Sequence, residues 1–139
     1  MNNSSESTPV VTCFLESEGN ILLLRRSDKV GSYQGKWAGV SGYLESDPDK
    51  QAMTEIREET GLRAKDVRLV KKSFPIPIED PQTGKLWIVH PFLFHVKDRT
   101  KIHINWENTE LRWIEPEKLD EFVTVPGLKT VLASVYDLS

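Results

Sequence analysis

Thr54-Glu55-Ile56-Arg57-Glu58-Glu59-Thr60-Gly61-Leu62 places three carboxylates on about one helical turn, closed by a glycine and an apolar residue. At ~100° per residue in a helix, Glu55, Glu58 and Glu59 project within a sector roughly 100° wide. Like charges at i,i+3 and i,i+4 destabilise an isolated helix by about 0.2–0.5 kcal/mol per pair, so something must offset their repulsion. A hard divalent cation bound through oxygen is the natural candidate. A solvated acidic face on a good helix former is the plainer alternative.

The surroundings give this helix definite ends. Asp47-Pro48 supplies an N-cap followed by proline at the first helical position. Gly61 can take the left-handed conformation that ends a helix. The predicted helix therefore runs over roughly 48–60, with Ala52, Met53 and Ile56 forming an apolar stripe beside the acidic one. One side can pack on a sheet while the next presents carboxylates. Upstream, Ile21-Leu22-Leu23-Leu24-Arg25-Arg26 reads as a buried strand after a Glu18-Gly19-Asn20 turn. Gly35 to Glu45 is rich in glycines that can bring backbone close to a ligand.

In these segments the chain resembles the Nudix hydrolases, of which the MutT proteins are the best-known branch. That family's box runs Gly, five spacers, Glu, seven spacers, then Arg-Glu-apolar-x-Glu-Glu-x-Gly-apolar. Glu55 to Leu62 matches its second half at every specified position, and Gly42-Tyr43-Leu44-Glu45 resembles its opening. Trp37 to Gly42 is similar to the family's Trp-x-x-Pro-Gly-Gly segment, with Val40 and Ser41 in place of Pro and the first Gly. Two departures stand out. Thr54 replaces the box Arg, and the loop before the helix is about two residues short. Ser46 holds the place of the mid-loop Glu by strict spacing, and Asp47 could partly stand in for it.

The resemblance implies an α/β (α+β) fold, a mixed β-sheet sandwiched between helices. It implies Mg2+, or Mn2+ in its place, held by Glu55, Glu59 and the Gly42 carbonyl, with Glu58 as a ligand to a further metal or through water. It implies a general base outside the box. Asn105 to Trp113 resembles that region, with Glu107 the first choice and Glu110 the second. The implied reaction is cleavage of a pyrophosphate bond in a nucleoside triphosphate or another nucleoside diphosphate derivative. The alternative is a catalytically weak domain that binds a nucleotide or metabolite as a regulatory module, with Thr54 as its mark. Relatives are often dimers, so a homodimer is an open expectation.

Three further residues are candidates for substrate contact. Arg25 and Arg26 close the buried strand, and alternation sends one of them toward a cleft, where a phosphate or base would suit a guanidinium. Trp37 could stack on a base or plug the core. Trp87, Trp106 and Trp113 read as packing residues, and His90, His95 and His103 lack ligand spacing.

Length and composition limit the options. A chain of 139 residues can bury one adequate core; residues 10–139 read as one domain and 1–9 as a polar, flexible tail. The formal net charge is −3, with no basic stripe, which speaks against stable binding to a nucleic-acid polymer. The lone Cys13 excludes an intramolecular disulfide and reads as a buried thiol in the strand Val10 to Leu15. No run approaches the ~18 apolar residues of a membrane span, and a reducing cytoplasm is the expected compartment. Farther on, Arg68 to Glu79 and Leu86 to Val96 read as two strands, irregular or at an edge because of Pro75, Pro77 and Pro91. Glu110 to Ile114 reads as another strand, Pro116 to Phe122 as a short helix and Pro126 to Leu138 as a terminal helix.

Overall fold

The computed structural model describes residues 7–138. Its core is a mixed sheet of eight strands: β1 (Ser7–Ser17), β2 (Asn20–Arg26), β3 (Trp37–Ala38), β4 (Val40–Tyr43), β5 (Val67–Lys72), β6 (Ile76–Glu79), β7 (Leu86–Val96) and β8 (Asn108–Ile114). The main path runs β3-β2-β1-β7-β5, while β4 pairs with β1, β6 with β7 and β8 with β2. The β1–β7 pairing is parallel and the other strand pairings are antiparallel.

The unbroken apolar runs of β1 and β2 follow from burial on both faces. Val11, Cys13, Leu15, Leu22 and Leu24 enter one core with Phe92, Phe94 and Val96. The intervening Phe14, Ile21 and Leu23 enter a second core on the opposite face. Helix α1 (Pro48–Thr60) covers the first with Ala52 and Ile56. Helix α2 (Leu128–Ala133) covers the second with Leu128, Val131 and Leu132, joined by Leu119 from the 3-10 turn Pro116–Glu121. Removing one such fully buried side chain, Ile56→Ala for example, costs about 2–5 kcal/mol.

Helix α1 has both expected ends. The Asp47 carboxylate accepts from the Lys50 backbone N–H at 3.1 Å. Gly61 sits at φ 76° and donates to the Arg57 carbonyl at 2.9 Å. Because α1 lies over β4, the acidic sector is carried to the sheet strand that holds Gly42.

Four local expectations change. Ser7, Thr8 and Pro9, assigned to a tail, pair with Leu86, Trp87 and Ile88 in the parallel ladder; residues 1–6 lie outside the described residues. The strand expected over Arg68 to Glu79 is two strands, because Ser73-Phe74-Pro75 leaves the ladder opposite His90-Pro91. A proline on each side of that gap removes a backbone donor. Strand β7 is accordingly central, with the break in its partners absorbing Pro91. The terminal helix is shorter than expected: it starts at Leu128, after Gly127 at a left-handed φ of 74° with Ile78 packed against it, and ends at Ala133. Among the described residues no helix is long and apolar enough to cross a membrane.

Candidate functional site

A cleft of about 400 Å³ opens where β4, α1, the β2–β3 loop and the turn before β8 meet. Gly42, Glu45, Glu55, Glu58, Glu107 and Arg26 line its polar part. Val10, Ile78, Val89, Trp87, Tyr43 and Val125 line the rest. It is therefore charged on one side and apolar and aromatic on the other.

The carboxylates are held at very close quarters. A Cβ on Gly42 would lie 2.2 Å from Glu55 Cδ, so any side chain at 42 would displace the Glu55 carboxylate. Glu58 is exposed, Glu55 is partly buried and Glu59 is only 4 % exposed. Burial pushes the Glu59 carboxyl well above the usual carboxylate range, and repulsion from Glu107 and Glu55 adds to it. Burial also raises Glu55, with repulsion from Glu58 and Glu107 adding and a hydrogen bond from Gln51 opposing. Glu59 Oε2 is buried without a hydrogen-bond partner. The Asn108 amide lies beside Glu59 and favours its charged form, yet its Nδ2 makes no well-directed bond either.

This arrangement fits a hard divalent cation. The donors are all oxygen, the buried Glu59 Oε2 lacks a partner, and the bare glycine lets the Glu55 carboxylate rest against the backbone of β4. Among the described residues no three carboxylate, imidazole or thiolate groups converge on one point. A cation here would therefore rely on Glu55, Glu59, a backbone carbonyl and water, and such a sparse protein set suits Mg2+.

Glu107 sits at the cleft in the turn just before β8. Its backbone N–H donates to Asn105 Oδ1 at 3.1 Å, and Asn105 Nδ2 donates to Glu107 Oε1 at 3.2 Å. The same Nδ2 reaches the Glu58 carbonyl at 3.0 Å, tying the turn to the end of α1. Glu110 lies elsewhere. It faces Arg25 at 3.5 Å and Arg112 at 3.3 Å on the solvent side of β8, and it is absent from the cleft wall.

The two arginines divide as alternation requires, with a register shift between them where β2 pairs β8. Arg26 lines the cleft and donates from Nε to the Ser32 carbonyl at 2.9 Å. Burial lowers its pKa, while Glu59 and Glu107 oppose that shift. Arg25 is exposed and held by Glu110, outside the cleft. Trp37 is also outside it: only 8 % exposed, it packs edge-on against Phe122 at 5.5 Å in the second core.

Its place as an aromatic wall is taken by Trp87, which sequence reasoning had assigned to packing. Trp87 Nε1 donates to Asp80 at 3.3 Å, Lys85 stands over its ring at 4.9 Å, and Tyr43 lies 6.2 Å away. Asp80 also accepts from the Tyr33 hydroxyl and the Gln82 backbone. That carboxylate therefore joins the β2–β3 loop to the β6–β7 hairpin across the rim. Burial alone would raise Asp80, but the bonds from Tyr33, Gln82, Trp87 and Thr83 outweigh it and lower its pKa. Tyr33 is correspondingly pushed up to about 12, by burial and by its bond to Asp80. No local pattern marks Trp87, because alternation along β7 does not say which face borders the cleft.

Comparison with known proteins agrees with this geometry. The NUDIX domain family model matches residues 6–135. An RNA pyrophosphohydrolase of Novosphingobium aromaticivorans is 29 % identical over 160 residues, spanning 99 % of this chain and 96 % of that protein. The nucleoside triphosphatase NudI of Escherichia coli O139:H28 is 25 % identical over 117 residues, spanning 79 % of this chain and 83 % of its own. In fold, the crystal structure of a MutT protein from Methanosarcina mazei Go1 superposes with a TM-score of 0.71 at 24 % identity, covering 91 % of this chain and 90 % of that one. A glutamate-bearing helix laid against a glycine strand, and a family model that spans nearly every described residue, have one common explanation: this chain belongs to the Nudix hydrolase family.

Proposed function

We propose that the chain is a Mg2+-dependent pyrophosphohydrolase that cleaves a nucleoside triphosphate or another nucleoside diphosphate derivative. The observation that carries this reading is the buried, unpartnered Glu59 oxygen beside Glu55, whose carboxylate fills the place a side chain would take on Gly42. The names of the relatives, a pyrophosphohydrolase and a nucleoside triphosphatase, support the same reaction class.

Glu55, Glu59 and the Gly42 carbonyl would hold Mg2+, with Glu58 at the exposed edge; Mn2+ suits the same oxygens. The cation's chemistry there is to neutralise diphosphate oxygens and to acidify a water. Glu107, with one carboxylate oxygen not taken by Asn105 and its side chain on the cleft, would serve as general base toward an attacking water. Arg26 faces the phosphates, where a guanidinium complements their charge. Trp87, Tyr43, Val10 and Ile78 enclose the organic part of the substrate and keep water from it. A planar nucleobase suits this wall, because its ring face meets the indole.

The test is release of pyrophosphate or phosphate from a panel of nucleotides and nucleotide conjugates, with and without Mg2+. Metal-dependent release of pyrophosphate from a triphosphate is the expected result. Binding without turnover across the panel would replace this reading with a regulatory nucleotide-binding module. The aromatic wall gives a second expectation. Trp87→Ala should raise KM for the preferred nucleotide about tenfold with kcat little changed, since base–aromatic stacking is worth ~1–3 kcal/mol. Steady-state kinetics at saturating Mg2+ would check it, and an unchanged KM would place the base elsewhere.

A further inference from the structure

Thr54 occupies the position of the box arginine and makes no side-chain hydrogen bond among the described residues. Nothing at position 54 therefore orients the neighbouring carboxylates. One turn before Glu55, however, stands Gln51, only 4 % exposed. Its Oε1 accepts from the Glu45 backbone N–H at 3.0 Å, and its Nε2 donates to Glu55 Oε2 at 2.9 Å.

Few side chains can make this bridge. It needs an acceptor facing the Glu45 N–H and a donor facing the Glu55 carboxylate, at the i,i+4 spacing that puts both groups on one helix face. A primary amide supplies both, and only one orientation of that amide satisfies both partners. A glutamate would repel Glu55, a lysine would leave the Glu45 N–H unpaired, and an apolar residue would abandon both. The short loop is part of the same arrangement. Only Leu44 to Asp47 separate β4 from α1, and the Glu45 N–H turns back onto the helix through Gln51. Both residues that Gln51 bridges, Glu45 and Glu55, line the cleft.

We infer that Gln51 is a positioning residue that holds the Glu55 carboxylate beside Gly42 and pins the shortened loop, the task left open by Thr54. The inference rests on the reading of Glu55 as a metal ligand. Gln51 touches neither substrate nor cation in this assignment. It acts by fixing the direction of one ligand, and loss of such supporting hydrogen bonds lowers metal affinity by 10–100-fold.

The experiment compares the wild type with Gln51→Met, which keeps the length and buries well but can neither donate nor accept strongly. Gln51→Asn, polar but too short to reach Glu55, is the second variant should the first fail to fold. Mn2+ binding is titrated directly by its electron paramagnetic resonance signal, with no substrate present. The Mg2+ concentration for half-maximal turnover is measured in parallel. The expected result is a 10–100-fold weaker metal affinity in either folded variant, with KM for the nucleotide unchanged and turnover recovering as Mg2+ is raised. Wild-type Mn2+ affinity in a folded variant would overturn the inference. So would a loss of thermal stability or a rise in KM without any change in metal requirement. A wild type that binds Mn2+ but turns over no nucleotide would sink the proposed reaction while leaving the Gln51 titration decisive.

Discussion

Exchanging Glu59 for glutamine is expected to stabilise the metal-free protein at neutral pH and to remove its metal-dependent turnover. The two effects have one cause. Glu59 is almost wholly buried, one of its oxygens has no partner, and Glu55 and Glu107 repel its charge. Its carboxyl in the folded chain binds a proton more tightly than in the unfolded chain. Above the ordinary value of 4.5, and up to the raised folded value, the native state holds that proton and the unfolded state does not. Stability of the metal-free protein therefore falls as pH rises through this window. Glutamine has no proton to lose, so Glu59→Gln should flatten the slope. Its Tm at pH 7 should rise by several degrees, on the scale of ~1–3 kcal/mol for a buried unsatisfied group. Added Mg2+ should raise Tm in the wild type and not in the variant. Turnover should fall by roughly 10²–10⁴, the effect of losing several kcal/mol of charge stabilisation. Scanning calorimetry from pH 4 to 8, with and without Mg2+, checks the first part and pyrophosphate release the second. A Glu59→Gln protein that is less stable at pH 7 and still active would show that no cation is held there.

Glu107→Gln should be as damaging to rate and silent in metal binding. A water-directed general base contributes about 10²–10⁴ in rate, and Glu107 is the acidic residue of the β8 region that borders the cleft. Asn105 holds it from two sides, and an amide in its place keeps most of that framework. The variant should therefore fold normally and retain the Mg2+-dependent rise in Tm while losing kcat. Glu110→Gln is the matched control. It breaks ion pairs with Arg25 and Arg112 at the surface, and exposed pairs of that kind are worth ~0–1 kcal/mol. Its kcat should stay within about threefold of wild type, well inside the 10²–10⁴ expected of a base. Equal losses in the two variants, or a larger loss in Glu110→Gln, would remove Glu107 from the mechanism.

How much of this was legible in the sequence depends on how local each signal is. The caps of α1, its acidic sector and Gly42 are written within a short segment, and the three-dimensional arrangement keeps them together. The apolar runs of β1 and β2 announced burial on both faces because no polar residue interrupts them. What escaped was decided by partners far along the chain. Trp37 and Trp87 both sit in strands with strong β-formers around them. Only the pairing of β3 beside β2, and of β7 beside β1, sends the first into the core and the second to the cleft. The break between β5 and β6 depends on Pro75 and Pro91 meeting at one gap, although they lie far apart in sequence. Arg25 and Arg26 were separable as a pair, but which one faces inward is set by the register shift against β8. Gln51 reads as an ordinary helix former until the Glu45 N–H is seen to end on it.

The parallel union of β1 with β7 has a consequence for how such a chain comes into being. Ser7 meets Leu86 and Glu16 meets His95, and β2 finds its long partner only in β8. The first strands synthesised thus spend most of translation without their longest partners. Pairings so distant in sequence delay folding, because the closure entropy of the whole intervening segment is lost before any contact compensates. The helix that carries the glutamates follows the strands it rests on, β4 and β1, but β1 still lacks its parallel partner when that helix is complete. The domain therefore completes itself late, and a nascent chain halted before β7 holds its acidic helix on only half of the sheet.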